Sequence, residues 1–169
     1  MFLLILVVVS LTIAWKYGDW RHWGLYYSTS LYWIIGDITC SYLTYNMPLW
    51  SYHSAYLSHT FIDLLITVAV YPCSVLVFIP YYPENGFSKK MGYLLLWVFA
   101  YSGVEWLAYH LGYFSYHNGW NIYLTIGFNC VMLSLLRLHF KNPLLVWIPS
   151  MALAFLTLFV FKIPFSSMR

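Results

Sequence analysis

Three carboxylic acids stand inside long apolar stretches of this chain: Asp37, Asp63 and Glu105. A charged side chain at the bilayer centre costs about 3 kcal/mol on insertion scales, so such a group normally faces protein or water rather than lipid. Residues three and four apart share one side of a helix, which puts Tyr101, Ser102, Glu105 and Tyr109 on a single polar and aromatic stripe. His59 precedes Asp63 by one helical turn, a spacing that allows a hydrogen bond. Asp37 shares a helical face with Ser30, Ser41 and Thr44. Trp33, Trp106 and His110 complete the neighbourhood of the acids.

Buried acids without a basic neighbour must be protonated, paired with histidine, bound to a cation or hydrated. Three chemistries follow. Carboxylates walled by aromatic rings suit a small cation, an amine or a proton, through charge and cation–π attraction. A protonated Glu105 could instead act as general acid on a lipophilic substrate, which would make the protein an intramembrane enzyme. Thirdly, the acids could meet a basic residue of a partner subunit in a larger membrane complex. A metal-assisted variant of the second lacks support: His59 and Asp63 offer two ligands, but no HxxxH or HExxH-type motif supplies the rest, so neither metal nor cofactor is expected.

Plainer readings stand beside these. A neutral Glu105 could simply glue helices, and Asp63 lies near enough to a span end to be solvated. His53 and His117 read as ordinary interfacial residues, and Arg137 and His139 as headgroup anchors.

The elements that must position the acids are membrane spans. The chain has 169 residues, 62% of them hydrophobic and only 8% charged, with mean hydropathy +0.70. Soluble domains carry roughly a quarter charged residues, so composition points to one polytopic membrane domain covering 1–169. The net charge of +3 suits anionic lipid headgroups and is too sparse for nucleic acid. Cys40, Cys73 and Cys130 fall in apolar segments at unrelated spacings and read as buried small hydrophobes.

Hydropathy predicts an all-α bundle of about six transmembrane helices. Residues 1–15 form a short first span, with neither a basic leader nor a cleavage site. The second covers 25–45 and ends at Asn46 and Pro48. An aromatic interfacial segment, 48–58, leads to a third span over 59–79, kinked at Pro72. The fourth covers 91–114, and a tight uncharged turn follows at 115–120. The fifth covers 120–136. The sixth covers 143–161, with Asn142 as its N-cap and Pro143 as its first residue. No internal repeat is evident. The second to fifth spans are expected to form the polar centre, with Asp37 and Glu105 approaching one another in an outward-opening cavity.

Lys16 and Arg21 lie in the first loop, Lys89 and Lys90 in the third, and Arg137 and Lys141 in the fifth, whereas the second and fourth have none. The positive-inside rule makes the basic loops cytoplasmic and puts both termini outside, Lys162 and Arg169 being the exceptions.

The stretch 105–147 carries Glu105-Trp106, Tyr113, Asn118-Gly119-Trp120 and Arg137-Leu138-His139-Phe140-Lys141 before Pro143. With these it resembles a family of small multi-span membrane proteins of endospore-forming bacteria. The resemblance implies a cytoplasmic-membrane location and a helical architecture. That family has no assigned activity, so no catalytic residue follows from it. The reading best supported by the residues is binding or transport of a small cationic or amphipathic ligand, or of a proton.

Overall fold

The computed structural model describes residues 2–164; the expectations for Met1 and Arg169 lie outside them. Helices occupy all six predicted apolar segments: α1 (Phe2–Tyr17), α2 (Trp23–Leu43), the continuous rod His59–Phe78, α5 (Phe87–His110), α6 (Ile122–Lys141) and α7 (Trp147–Val160). The rod comprises α3 (His59–Leu65), a π turn (Ile66–Val70) and α4 (Tyr71–Phe78). Among the described residues three helices are long and apolar enough to cross a membrane, the rod, α5 and α6, and α1 with Trp20–Leu43 passes the same test only as a bent pair. Between α1 and the stretch Trp20–Leu43 the chain bends by 86°, so these two segments are not the side-by-side hairpin that six parallel rods would require. Gly18 makes that bend possible. Its N–H bonds the Ala14 carbonyl at 2.7 Å, and a Cβ there would sit 2.3 Å from the same oxygen.

Where a kink at Pro72 is expected, the rod carries a π turn over Ile66–Val70 and continues as one helix. Proline cannot donate to the carbonyl four residues back and clashes with it, and widening the preceding turn relieves both. Several boundaries differ from expectation, and α6 runs on to Lys141 where the fifth span is expected to end at 136. α5 begins at Phe87 and stops at His110, because Gly112, at φ +75°, closes a Schellman motif: Tyr113 N–H reaches Ala108 O at 2.9 Å and Gly112 N–H reaches Tyr109 O at 3.1 Å. Asn142 does not cap the last helix. A turn intervenes, and α7 starts at Trp147, which leaves the missing N–H of Pro149 within its first turn. Asn121 and Ser58 cap helices with their side chains, accepting backbone N–H groups of α6 and α3 respectively.

α7 ends in a Schellman geometry with Lys162 in the left-handed position, at φ 51°. Lysine pays a steric penalty there that glycine does not. Lys162→Gly is therefore expected to stabilise the protein by about 1 kcal/mol; a lowered unfolding midpoint in detergent would contradict this.

The interfacial segment and the turn at 115–120 are more ordered than hydropathy suggests. β1 (Trp50–Tyr52) and β2 (Phe114–Tyr116) pair antiparallel, with Ser51 opposite Ser115. The ladder continues symmetrically, from His53 N–H to Tyr113 O at 2.9 Å and from His117 N–H to Leu49 O at 2.8 Å. The pairing brings out a short repeat that hydropathy does not register: Ser-Tyr-His occurs at 51–53 and again at 115–117. A local two-fold axis through the Ser51–Ser115 pair relates the copies. Strand alternation sends Trp50, Tyr52, Phe114 and Tyr116 to one face and the serines and histidines to the other.

The opposite end is tied by the basic loops. Asp19 N–H reaches Leu76 O at 3.1 Å, and Glu84 accepts from Arg137 and from Lys141 Nζ, the latter at 3.3 Å. Arg137 and His139 are not the exposed headgroup anchors expected. Both are buried: Arg137 lies over the Tyr82 and Phe140 rings, while His139 bonds Thr29 at 3.1 Å and stacks on Tyr32. The main core fills the space between α2, α4, α5 and α6 around Phe78, Val98 and Leu133, all fully buried.

Candidate functional site

Beneath the aromatic face of the ribbon lies a cavity of about 650 Å³, reached by residues of every long helix. Asp37 comes to it from α2 and Glu105 from α5, and no Lys or Arg among the described residues lines it. The polar stripe on α2 is what positions the first acid. Asp37 accepts from the Tyr71 hydroxyl at 3.2 Å and is bonded to the Thr67 hydroxyl, while Ser41, one turn on, donates to Asp63 at 2.7 Å. Asp63, Thr67 and Tyr71 stand four residues apart along one face of the rod, where the π turn holds Thr67 and Tyr71 against α2. Thr67 Oγ1 also lies 2.8 Å from the Asp63 carbonyl oxygen. One hydroxyl proton cannot serve two acceptors, so a proton on Asp37 completes this arrangement.

Glu105 is held differently. It accepts from Thr125 at 2.6 Å, and the Thr125 hydroxyl in turn accepts from Trp120 Nε1 at 2.9 Å. Beside it the Tyr116 hydroxyl is buried with no hydrogen-bond partner in proper geometry among the described residues. Burial, then the neighbouring Glu105 carboxyl, keeps this phenol protonated well above its usual range. Asp37 and Glu105 thus share the cavity but no hydrogen-bond partner. The expected approach is one of two acids facing a common space from different helices, because α2 pairs its acid with the rod and α5 pairs its acid with α6.

The aromatic wall is largely as expected at Trp33 and Tyr101. Trp33 stacks on Tyr71 with centroids 4.4 Å apart and planes 7° apart, and Tyr101 lies 5.7 Å from Trp33 while donating to Ser74. The other expected residues fall elsewhere. Asp63 is buried behind Asp37 rather than solvated. His59 does not bond Asp63: its Nδ1 accepts the Tyr52 backbone N–H at 3.1 Å, since Asp63 turns toward Ser41. Trp106, Tyr109 and His110 lie outside the cavity lining and pack on one another, because α5 carries them past its buried face. Ser102 leaves the Glu105 stripe to receive Asn129 at 3.1 Å.

Outside the expected set, Thr67, Tyr71 and Thr125 bond the acids, and Tyr116 lies beside Glu105. The first two continue the His59–Asp63 spacing by further steps of four. No group of three or more His, Cys, Asp or Glu side chains able to share a metal occurs among the described residues. No protein-family model, curated protein or solved structure matches the chain.

Proposed function

We propose that the protein is an integral membrane protein that binds, and by the same site could carry, an amphipathic ligand bearing a cationic or hydrogen-bond-donating group. The carrying observation is the cavity of about 650 Å³ with two carboxyl groups and, among the described residues, no Lys or Arg in its lining. That volume is in the range of sites for small organic ligands. An apolar tail would lie against Trp33, Tyr101 and the aliphatic residues of α1 and α7. Its polar head would replace the proton at Asp37 or engage Glu105.

The membrane placement belongs to the same proposal: a cytoplasmic membrane crossed by the helical bundle, whose ends lie on opposite sides, with α1 inclined to α2 rather than antiparallel to it. Support comes from the grouping of the basic loops through Asp19, Glu84 and Arg137 at one end and of the uncharged loops through the ribbon at the other. The positive-inside rule then makes the ribbon end external. Lys162 is the exception to this count.

The test compares dodecylamine with dodecanol, titrated into purified protein in micelles and followed by thermal shift and native mass spectrometry. The amine is expected to bind more tightly than the alcohol. Asp37→Asn with Glu105→Gln should weaken the amine by about tenfold or more, the worth of one charge-assisted hydrogen bond. Amine affinity unchanged in the double variant would remove the proposal.

A further inference from the structure

The outer face of the ribbon carries a second constellation, which involves neither of the cavity's acids. Ser51, His53, Ser115 and His117 project to one side, and their hydrogen bonds form a chain. Ser115 Oγ lies 2.8 Å from His53 Nε2, and Ser51 Oγ lies 3.4 Å from His53 Nε2 and 2.7 Å from His117 Nε2. Both imidazoles therefore aim the same ring nitrogen at one oxygen. This convergence is not a helical accident. It follows from two Ser-Tyr-His tripeptides paired about the Ser51–Ser115 axis, with each tyrosine on the opposite face. Both histidines are exposed, and both strands are fixed by ladder bonds beyond their ends.

We propose that this face binds a divalent transition metal ion, Cu²⁺ or Zn²⁺, between His53 and His117. Neutral imidazole is a preferred ligand of both metals, and Nε2 is a common point of attachment. The two nitrogens converge on the position of a hydroxyl, so a small swing of the exposed rings exchanges that oxygen for a metal ion. Water completes the coordination, with Ser51 and Ser115 hydroxyls as hydrogen-bonding neighbours. Two protein ligands with open positions describe an exchangeable, accessible site rather than a structural one. The rigid register supplies what two histidines on a flexible loop lack, since neither backbone has to be ordered on binding.

The experiment uses the untagged full chain in micelles, titrated with CuCl₂ and with ZnCl₂ by calorimetry, alongside Cu²⁺ electron paramagnetic resonance. One ion per chain is expected, with Cu²⁺ tighter than Zn²⁺ and a nitrogen hyperfine pattern from two imidazoles. His53→Ala and His117→Ala should each weaken binding by more than about tenfold. His22→Ala and His110→Ala, also exposed, should leave it unchanged, as should Asp37→Asn with Glu105→Gln. No binding by the wild type, or binding that survives the double variant His53→Ala with His117→Ala while the unfolding midpoint is retained, overturns the proposal. Failure here leaves the cavity reading intact: His53 also borders the cavity, but that reading is tested at Asp37 and Glu105 and this one at His53 and His117.

Discussion

Phe78→Ala is expected to cost roughly 3–5 kcal/mol, the usual penalty for emptying an aromatic site in a packed interior. Phe78 has no exposed surface and meets three rings, Tyr82 and Tyr93 at 5.7 Å and Trp97 at 5.4 Å. Rings from the 79–86 connection and from α5 converge on it, so no neighbour can collapse into the space without abandoning another contact. In the proposed membrane setting, packing rather than water exclusion supplies most of the attraction between helices, so the lost contacts account for most of the cost. Phe99, also on α5 but 64% exposed, is the control: Phe99→Ala should stay within about 0.5 kcal/mol. Reversible unfolding in mixed micelles measures both. Equal effects at the two positions would mean that the aromatic cluster does not hold α4 to α5.

Arg137→Ala is expected to cost about 2–3 kcal/mol, and its cause differs from that of an ordinary surface ion pair. The guanidinium is buried over Tyr82 and Phe140, whereas its partner Glu84 remains mostly exposed. Removing arginine discards the packing of its stem and leaves a carboxylate that water can solvate. Removing Glu84 strands a buried cation whose Nε already has no hydrogen-bond partner among the described residues. Glu84→Ala should therefore destabilise more than Lys141→Ala, although all the charge it removes is near the surface. Acid provides a second measurement. Hydrogen bonds first from Arg137 and then from Lys141 hold the Glu84 carboxyl below the usual glutamate range. A carboxyl lowered on folding stabilises above its unfolded value, and that contribution disappears as pH falls through the lower folded value. The acid loss of stability should be shallower in Glu84→Gln than in the wild type; identical profiles would contradict the link.

How far residues alone reach is clearest on α2 and the rod. Asp37 and Ser41 stand four apart on α2, as do Asp63 and Thr67 on the rod, and helical geometry turns each spacing into a stripe on its own helix without further information. Glu105 is equally visible as an acid in an apolar segment, but its partner is not. Thr125 is an ordinary threonine until α6 is packed on α5. The same holds for Arg137, which hydropathy assigns to a headgroup because nothing in its own segment announces Glu84 or Tyr82. A three-residue Ser-Tyr-His repeat is too short to stand out along a chain and becomes meaningful only when antiparallel pairing opposes its copies.

Local chemistry in the chain thus determined what depends on neighbours a few positions away: six apolar helical segments, the distortion before Pro72 and the presence of acids in an oily setting. Tertiary structure decided what depends on distant segments meeting: that Asp37 joins the rod while Glu105 joins α6, that His59 serves the ribbon and not Asp63, and that two loops become one sheet. The division has a single cause. Helical periodicity is written within each segment, whereas the azimuth and partner of each helix are set by packing among all of them.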